Sequence, residues 1–308
     1  MTSISNYIKL RIESIIIETS MTKTFVLSQI SGQALQYQSG QFLTLVFQSS
    51  EGNEQRRSYS ISSSAVLKEP LSITVKYIEN GIYSRELIER AKVGDILEAA
   101  GVSGLFVLPK NLETINQVFF FAAGSGITPI FSLIKTILHQ ETQLKISLIY
   151  SNQESTIFYQ QLMSLQKQFS SRFKINFLFS NAPIISEARL SNFMIAAWMQ
   201  ELSVQEKYST LFYVCGPLEY KDTVIISLLS EGIPKVNIKK ENFAHYQAPS
   251  KLQPPDTDAH IVSIWIGNEK KQFKVQYPIS ILEQAKINGL TLPYSCASGQ
   301  CGSCVATC

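Results

Sequence analysis

The apolar pattern of the chain changes near Gln117, and this change limits the fold more than any other feature of the sequence. After Gln117, continuous apolar strands such as Val118–Ala123 and Leu211–Cys215 alternate with segments of helical spacing. Strands that alternate with helices indicate a parallel sheet with helices on both faces. Before Gln117, short strands are separated by Gly, Ser and Asn, which is typical of a β-barrel or a β-sandwich.

The expected domains follow from this change. The chain has 308 residues, which suggests about two domains at roughly 150 residues each, with room for a small third. We expect a β-domain in residues 1–112 and an α/β domain in residues 113–244. Residues 245–258 contain three prolines and no periodicity, so we predict a linker. A predicted hairpin, a helix and a cysteine-rich loop form a third unit in residues 259–308.

Composition excludes several classes of protein. With 45% hydrophobic residues, the chain has enough apolar side chains for packed cores, unlike a disordered chain. The net charge of +3 and the lack of a basic stripe argue against nucleic-acid binding. The longest apolar run falls far short of the roughly 20 residues that span a bilayer, and the N-terminus has no signal-peptide pattern. We therefore expect a cytoplasmic protein without a membrane partner.

Four of the five cysteines lie in the last thirteen residues of the sequence. Cys296, Cys301 and Cys304 are separated by four and then two residues, which is the ligand spacing of plant-type [2Fe–2S] ferredoxins. A terminal cysteine cluster in a long chain favours metal or iron–sulfur ligation over a disulfide scaffold. Zinc is the alternative, with Cys308 as fourth ligand, although four-cysteine zinc sites are usually built from two separated pairs.

The segment from Val118 to Pro129 contains a strand, a glycine turn and the start of a helix. Gly124 and Gly126 would let a phosphate approach the backbone, and the free N–H groups of the helix start would attract it. Proline is favoured in a first helical turn because it loses no helical hydrogen bond there. The alternative is an ordinary strand–helix turn, since the full dinucleotide fingerprint is absent.

Two further motifs carry groups that suit a planar, phosphorylated cofactor. Arg57 and Tyr59 share one face of a predicted strand, where an arginine can pair a phosphate and a tyrosine ring can stack. The alternative there is a polar edge strand. Cys215 ends a buried strand, at the edge where open α/β sheets bind ligands. Taken alone, a buried cysteine is a small apolar residue, and Glu241–Phe243 is a solvated loop.

Together, in this order, the motifs resemble the ferredoxin–NADP reductase superfamily. They resemble most its two-cofactor reductases with a C-terminal plant-type ferredoxin domain, which serve aromatic-ring oxygenases and phenylacetyl-CoA epoxidase. The resemblance covers essentially the whole chain. It implies an antiparallel six-stranded β-barrel for the flavin, an α/β parallel-sheet domain for the nucleotide, and a partial β-grasp ferredoxin domain.

The resemblance also implies which residues bind cofactors. For the flavin, it implies phosphate binding by arginine, ring stacking by tyrosine and a helix start at the pyrophosphate, which favours FAD over FMN. The implied flavin residues are Arg57, Tyr59, Ser60, Val75, Tyr77, Gly81, Ser84 and Phe243. The implied nucleotide residues are Gly124, Gly126, Thr128, Gly216 and Pro217. Ser60, Cys215 and Glu241 are the implied catalytic residues, and Cys296, Cys301 and Cys304 the implied cluster ligands.

The implied activity is electron transfer. NADH or NADPH would give hydride to FAD, and single electrons would pass through a [2Fe–2S] cluster to an oxygenase, a hydroxylase or another electron-accepting protein. A flavin-binding redox sensor or regulatory subunit with little turnover is the alternative, and a zinc-stapled binding module is a third hypothesis. Turnover with an artificial acceptor separates the first two.

The chain departs from the family pattern in two places. Many NADPH-using relatives carry an arginine at the position of Gln153, and a second where Asn181 follows Ser180. Both absences favour NADH, unless Arg172 or Arg189 takes that role. The family's fourth cluster ligand lies beyond the third by more residues than this sequence contains, so we expect the cluster to be absent or unstable on these 308 residues.

Overall fold

The computed structural model describes residues 7–140, 143–153, 155–184, 188–243, 253–290, 292–297 and 303–306. The chain divides into two compact units, Met1–Phe243 and Ala244–Cys308. The larger unit contains a β-barrel followed by a parallel sheet with its helices, and the smaller contains a hairpin and a helix.

Six antiparallel strands of the described residues form the first sheet, in the order β4-β3-β6-β1-β2-β5. A bridge between Ile61, just after β4, and Ile73 on β5 brings the two edge strands together, so the sheet closes as a barrel. The predicted six-stranded antiparallel fold is confirmed. The elements are β1 (Ile8–Thr19), β2 (Thr22–Gln29), β3 (Phe42–Gln48), β4 (Glu54–Ser60), β5 (Ser72–Lys76), α1 (Ile82–Arg90) and β6 (Ile96–Ser103).

Alternation builds the barrel core, because successive side chains of a strand point to opposite faces. Leu10 and Ile12 of β1 are fully buried, and the residues between and beside them face outward. Strand β6 has no such pattern, and we did not predict it. Its sequence ILEAAGVS is poor in β-formers, and the shift in its register opposite Thr44 and Leu45 interrupts the pairing with β3.

Five parallel strands of the described chain form the second sheet, in the order β11-β10-β7-β8-β9. This confirms the predicted α/β domain. Its elements are β7 (Gln117–Ala123), α2 (Ile127–His139), β8 (Lys145–Asn152), α3 (Tyr159–Gln168), β9 (Phe173–Phe179), α4 (Asn192–Gln200), α5 (Val204–Tyr208), β10 (Thr210–Cys215), α6 (Leu218–Ser230) and β11 (Ile238–Glu241). Strand β11 was missed because its sequence, IKKE, is a polar edge strand.

Strand β7 shows why this sheet needs helices on both faces. Phe120 packs with Tyr213 in one apolar cluster, and its neighbours Phe119 and Phe121 pack in another. All four side chains are at most 6% exposed. Because both faces of the strand are covered, its sequence is a continuous apolar run and does not alternate.

Helix α2 joins the barrel to the parallel sheet through polar contacts. The hydroxyl of Ser132 donates to the Ser63 carbonyl over 2.6 Å. The Thr136 hydroxyl lies 2.6 Å from Ser39 Oγ and 2.7 Å from Ser64 Oγ. On the barrel side, the contacting groups belong to Ser39, Ser63 and Ser64, which all lie in loops. On the other side, Ser132 and Thr136 share one face of α2. Because α2 begins at the predicted nucleotide loop, these bonds fix that loop relative to the barrel.

A partly buried ion pair strengthens the same junction. Lys135 of α2 is 9% exposed and pairs with the Glu69 carboxylate of the barrel. Burial lowers the pKa of Lys135, and the Glu69 carboxylate opposes that shift. The same carboxylate accepts from the Ser64 backbone N–H over 2.7 Å.

The smaller unit begins with the antiparallel strands β12 (His260–Ile266) and β13 (Glu269–Val275) and continues into helix α7 (Ile281–Ile287). Phe273, Val275 and Ala285 form its small core. Ser280 begins α7 by accepting from the Glu283 backbone N–H. The predicted hairpin and helix agree with these elements.

None of the helices in the described residues is long and apolar enough to cross a bilayer.

Candidate functional site

The glycine loop after β7 packs directly against the end of β10. A Cβ atom on Gly126 would lie 2.1 Å from the Cys215 carbonyl oxygen and 2.5 Å from its carbonyl carbon. Only glycine allows this approach, because real Cβ atoms do not come closer than about 3 Å to such atoms. Two predicted site residues from distant parts of the sequence are therefore in contact.

Local hydrogen bonds hold the loop open at the start of α2. Gly124 has a φ of +54°, a conformation that glycine adopts without strain. Its carbonyl accepts from Tyr150 Oη over 3.0 Å, and Thr128 Oγ1 donates to the Ser125 carbonyl over 2.9 Å. The loop is thus bonded through its carbonyl groups, and the N–H groups of the helix start are the groups that an anion would use.

Lys76 lies beside this loop. A Cβ atom built on Gly124 would be 3.7 Å from Lys76 Nζ. Lys76 ends the barrel strand β5 and is exposed, so its ammonium group adds positive charge to a site whose N–H groups already favour an anion. We did not predict this residue as a site residue. The alternation along β5 was the available signal, since Lys76 lies between Val75 and Tyr77 and faces the opposite way.

Cys215 and Glu241 are partners across the parallel pair β10–β11. Burial raises the pKa of the Cys215 thiol, and the nearby Glu241 carboxyl raises it further. Burial also raises the pKa of Glu241 to about 8, against the lowering effect of Lys221. The solvated-loop interpretation of Glu241 was wrong, because pairing with β10 draws this residue into the end of the sheet.

Four buried polar atoms at the carboxyl end of this sheet lack a close hydrogen-bond partner within the described residues, and the only interaction among them is a weak one between Tyr220 Oη and Ser151 Oγ. They are Ser151 Oγ, Asn152 Nδ2, Tyr220 Oη and Glu241 Oε2. Ser151 and Asn152 end β8, Glu241 ends β11, and Tyr220 lies in the first turn of α6. A buried polar atom without a partner costs about 1–3 kcal/mol, so folded proteins rarely keep several together without a ligand to satisfy them. Ser151, Asn152 and Tyr220 were not predicted as site residues.

On the barrel, Arg57 meets the start of helix α1. Its guanidinium carbon lies 5.0 Å above the Tyr83 ring, which stacks on Phe47 with ring centres 4.4 Å apart. Arg57 Nη1 donates to the Arg56 carbonyl over 2.7 Å. The predicted phosphate-binding arginine is therefore placed beside the predicted pyrophosphate-binding helix start.

Close contacts between neighbouring residues fix the start of α1. Gly81 caps α1, and Ser84 Oγ donates to the Gly81 carbonyl over 3.2 Å. A Cβ atom on Gly81 would lie 2.5 Å from Ser84 Oγ. Both residues lie where an anion could reach the first N–H groups of α1.

The remaining predicted flavin residues lie along β4 and β5 and after β11. Tyr59 is half-buried, and burial raises its pKa while the Arg57 charge opposes that shift. Ser60 ends β4 and is 5% exposed. The side chain of Val75 is packed in the barrel core, so only its backbone can reach a ligand. Tyr77 packs at the edge of the same core.

Gly216, Pro217 and Phe243 follow the strand ends. Gly216 lies close to Ala123 and Tyr220, and Pro217 precedes the first residue of α6. Phe243 is 43% exposed. Gly216 thus lies beside one of the residues with a buried polar atom, and none of the three residues carries a charge.

Arg172 does not lie at this edge. It precedes the first residue of β9 and donates to the Leu138 carbonyl near the end of α2. The nucleotide loop follows the carboxyl end of β7. Because all strands of this sheet are parallel, the amino end of β9 lies at the opposite end of the sheet from that loop. Arg172 therefore cannot replace the missing arginines. Arg189 is exposed and precedes α4.

Of the predicted cluster ligands, Cys296 is half-buried and Cys304 is exposed. Cys301 and Cys308 lie outside the described residues. Thiolates are the donors that an iron–sulfur cluster requires, so these residue types fit. Within the described ranges, no three His, Cys, Asp or Glu side chains gather as a metal-binding group, and no cluster geometry follows.

The residues of the larger unit fit a flavin and a pyridine nucleotide. On the barrel, Arg57 and the start of α1 suit the binding of phosphates. A glycine loop, a lysine and four unsatisfied polar atoms suit a ribose and phosphate-bearing ligand at the sheet edge.

Family models match along most of the chain. A model of the oxidoreductase FAD-binding domain matches residues 9–108, and one of the oxidoreductase NAD-binding domain matches residues 120–224. A model of the 2Fe-2S iron-sulfur cluster binding domain matches residues 266–308. These matches confirm the predicted cofactors and oxidoreductase class.

Curated relatives extend over nearly the whole chain. The chain is 30% identical to one of the subunits of 1,2-phenylacetyl-CoA epoxidase from Escherichia coli, over 92% of this chain and 81% of the relative. It is 28% identical to the 3-ketosteroid-9-alpha-monooxygenase ferredoxin reductase component of Rhodococcus rhodochrous, over 98% of this chain and 86% of the relative.

A solved structure shares the fold. Phthalate dioxygenase reductase, described as a modular structure for electron transfer from pyridine nucleotides to [2Fe-2S], has a TM-score of 0.67 and 23% identity, and the match covers 97% of this chain and 85% of that one. With the three domain matches and the identity to the epoxidase protein, the chain belongs to the family of oxygenase reductase components that combine FAD-binding, NAD-binding and 2Fe-2S domains.

Proposed function

We propose that this chain is the NADH-dependent reductase component of an oxygenase. It takes hydride from the nicotinamide and passes single electrons to the partner protein. The flavin, when bound, supplies the conversion of a two-electron donor into single electrons, and the chain supplies binding, orientation and electrostatics. The observation that carries the proposal is the contact of the glycine loop with Cys215 beside four unsatisfied buried polar atoms.

On the flavin side, we assign phosphate binding to Arg57 and to the start of α1 at Gly81 and Ser84. Arg57 lies over Tyr83 in the first turn of that helix, so one guanidinium and the helix N–H groups can act on the same anion. Tyr59 presents a half-buried ring for stacking, and Val75 on β5 and Tyr77 directly after β5 contribute beside it. Ser60 and Phe243 complete the proposed flavin contacts.

On the nucleotide side, we assign the phosphates to Gly124, Gly126 and Thr128, and the nicotinamide end to Cys215, Gly216 and Pro217. The buried thiol of Cys215 stays protonated at neutral pH, because burial and the Glu241 carboxyl both raise its pKa. Glu241 titrates near neutral pH, with a pKa raised by burial to about 8, so it can hold or release a proton at its carboxyl.

We propose NADH as the donor. Gln153 is exposed directly after β8, and Asn181 is exposed after β9, at the edge that holds the nucleotide loop. Neither side chain carries a charge to pair a 2′-phosphate. Gln153→Arg should therefore improve NADPH use relative to NADH.

We further propose that residues 1–112, 113–244 and 259–308 are the three domains, with 245–258 as linker, that Cys296, Cys301 and Cys304 are cluster ligands, and that the protein is cytoplasmic. Cluster ligation needs thiolates, and a reducing compartment keeps cysteines in that form.

The test is an anaerobic visible spectrum of the purified chain, titrated with NADH and then with NADPH. We expect flavin absorption that NADH bleaches faster than NADPH does. Steady turnover with an artificial acceptor would exclude a sensor with little turnover. A protein that stays colourless after FAD is added would contradict the flavin assignment.

A further inference from the structure

Lys221 is a buried cation that the proposed reaction does not use. It lies in the first turn of α6 and is 4% exposed. Lysine is almost never this buried without a partner. None of the ion pairs in the described residues includes it, so its contacts call for another explanation.

The contacts of Lys221 all lead to the end of β11. Its ammonium group donates to the Glu241 carbonyl over 3.2 Å and to Asn242 Oδ1. Both acceptors are neutral. One ammonium group therefore binds the backbone of Glu241 and the side chain of Asn242, where the chain leaves β11.

The charge of Lys221 also acts on Cys215 and Glu241, the two residues to which we assign roles at the nicotinamide end of the site. Lys221 lowers the pKa of both Cys215 and Glu241, against the effect of burial. Burial in turn lowers the pKa of Lys221 itself. The titratable groups that act on Lys221 are Cys215 of β10, Asp222 of α6, and Lys240 and Glu241 of β11.

We infer that Lys221 is a positioning residue: it holds the Glu241–Asn242 strand end against Cys215 and supplies a positive charge beside the Glu241 carboxyl group. This inference rests on the proposed role of Glu241 in the reaction. It assigns Lys221 no contact with the cofactors.

Charge and hydrogen bonding can be separated by three substitutions. Lys221→Met removes both, Lys221→Gln keeps donors without charge, and Lys221→Arg keeps charge. Lys235→Met is the control, because it removes an exposed lysine that precedes β11 and is not among the groups that act on Lys221.

The first readout is the pH dependence of thermal unfolding of the full chain, which needs no turnover. Since folding raises the pKa of Glu241 from 4.5 to about 8, folded Glu241 keeps a proton that the unfolded chain loses in this window, and stability falls as pH rises. Without the Lys221 charge, this fall should extend to higher pH in Lys221→Met and Lys221→Gln. Lys221→Arg and Lys235→Met should match the wild type.

The second readout is the pH profile of flavin reduction by NADH. Its midpoint should shift to higher pH in Lys221→Met and Lys221→Gln, and the shift should vanish when Glu241→Gln is added. A shift that persists beside Glu241→Gln, or unchanged midpoints in both Lys221 variants, would overturn the inference. If Lys221→Met does not fold, Lys221→Gln decides. If Glu241→Gln alone leaves both profiles unchanged, the proposed role of Glu241 fails instead.

Discussion

The two sides of the candidate site differ in how the protein itself satisfies their polar groups. On the barrel, Arg57 already donates to a carbonyl and lies over an aromatic ring. At the carboxyl end of the parallel sheet, Ser151, Asn152, Tyr220 and Glu241 each keep a buried polar atom without a close partner among the described residues. The Arg57 side chain therefore costs the protein no folding free energy, whereas the unpartnered polar atoms at the carboxyl end of the sheet lower the stability of the fold. Removal of Arg57 should therefore affect mainly binding, whereas removal of one of the unpartnered polar atoms should weaken binding without a loss of stability.

The largest effect should come from Arg57→Met. Loss of a charge-assisted bond to phosphate should weaken FAD binding about 10- to 150-fold, equivalent to roughly 1.5–3 kcal/mol. Flavin content after gel filtration and a binding titration measure this. Arg90→Met, at the exposed far end of α1, is the control and should retain flavin. Equal FAD affinity in both variants would remove Arg57 from the flavin site.

Gly126→Ala should separate the nucleotide loop from the end of β10, because its Cβ would clash with the Cys215 carbonyl at 2.1 Å. Overpacking of this kind costs roughly 1–3 kcal/mol, so NADH binding should weaken about 5- to 150-fold. Stopped-flow flavin reduction over a range of NADH concentrations gives the affinity. Ser125→Ala, in the same loop, should behave like the wild type. An unchanged NADH affinity in Gly126→Ala would refute the loop assignment.

Lys135→Met tests the junction that both sides share. It breaks an ion pair whose side chains are 11% and 31% exposed, so the cost should lie between those of exposed and buried pairs, about 1–2 kcal/mol. Denaturant unfolding measures this loss. Lys167→Met, on α3, provides the control. If the junction matters for both sites, FAD and NADH affinities should fall together, and a change in only one would argue against a shared junction.

The smallest effect should come from Tyr220→Phe. This variant tests most directly the difference between the barrel side and the sheet side of the site. Within the protein this hydroxyl interacts only weakly, with Ser151 Oγ, so its removal should change stability little. NADH binding should weaken about 2- to 12-fold if that hydroxyl meets the nucleotide, equivalent to roughly 0.5–1.5 kcal/mol. Thermal unfolding and NADH titration on the same sample give both numbers. Reduced stability with unchanged binding would mean that Tyr220 has a structural role only.

The regular parts of the fold were predictable because periodicity is local. The apolar run at Val118–Ala123 and the helical spacing after it depend only on which faces are buried. Strands β6 and β11 were missed because alanine, glycine and charged residues carry little strand signal.

The candidate site divides in the same way. Motif residues such as Arg57 and Gly126 could be predicted because each lies in a short recognisable pattern. Lys221, Tyr220 and Ser151 could not, because their roles arise from the packing of α6, β8 and β11, which no local pattern encodes. Glu241 shows the limit most clearly: its neighbours in sequence suggest a solvated loop, and its partner across the sheet is Cys215.

The hydroxyl contacts beneath α2 have a consequence for engineering. Ser39 and Ser64 of the barrel share the single Thr136 hydroxyl of the helix, so each half contributes atoms that the other half must match. A chimera that takes its barrel from one relative and its parallel sheet from another would need to inherit all three hydroxyls together. Recombination of family members should therefore succeed more often when the crossover follows Phe243, where the compact unit ends, than when it falls between the barrel and α2.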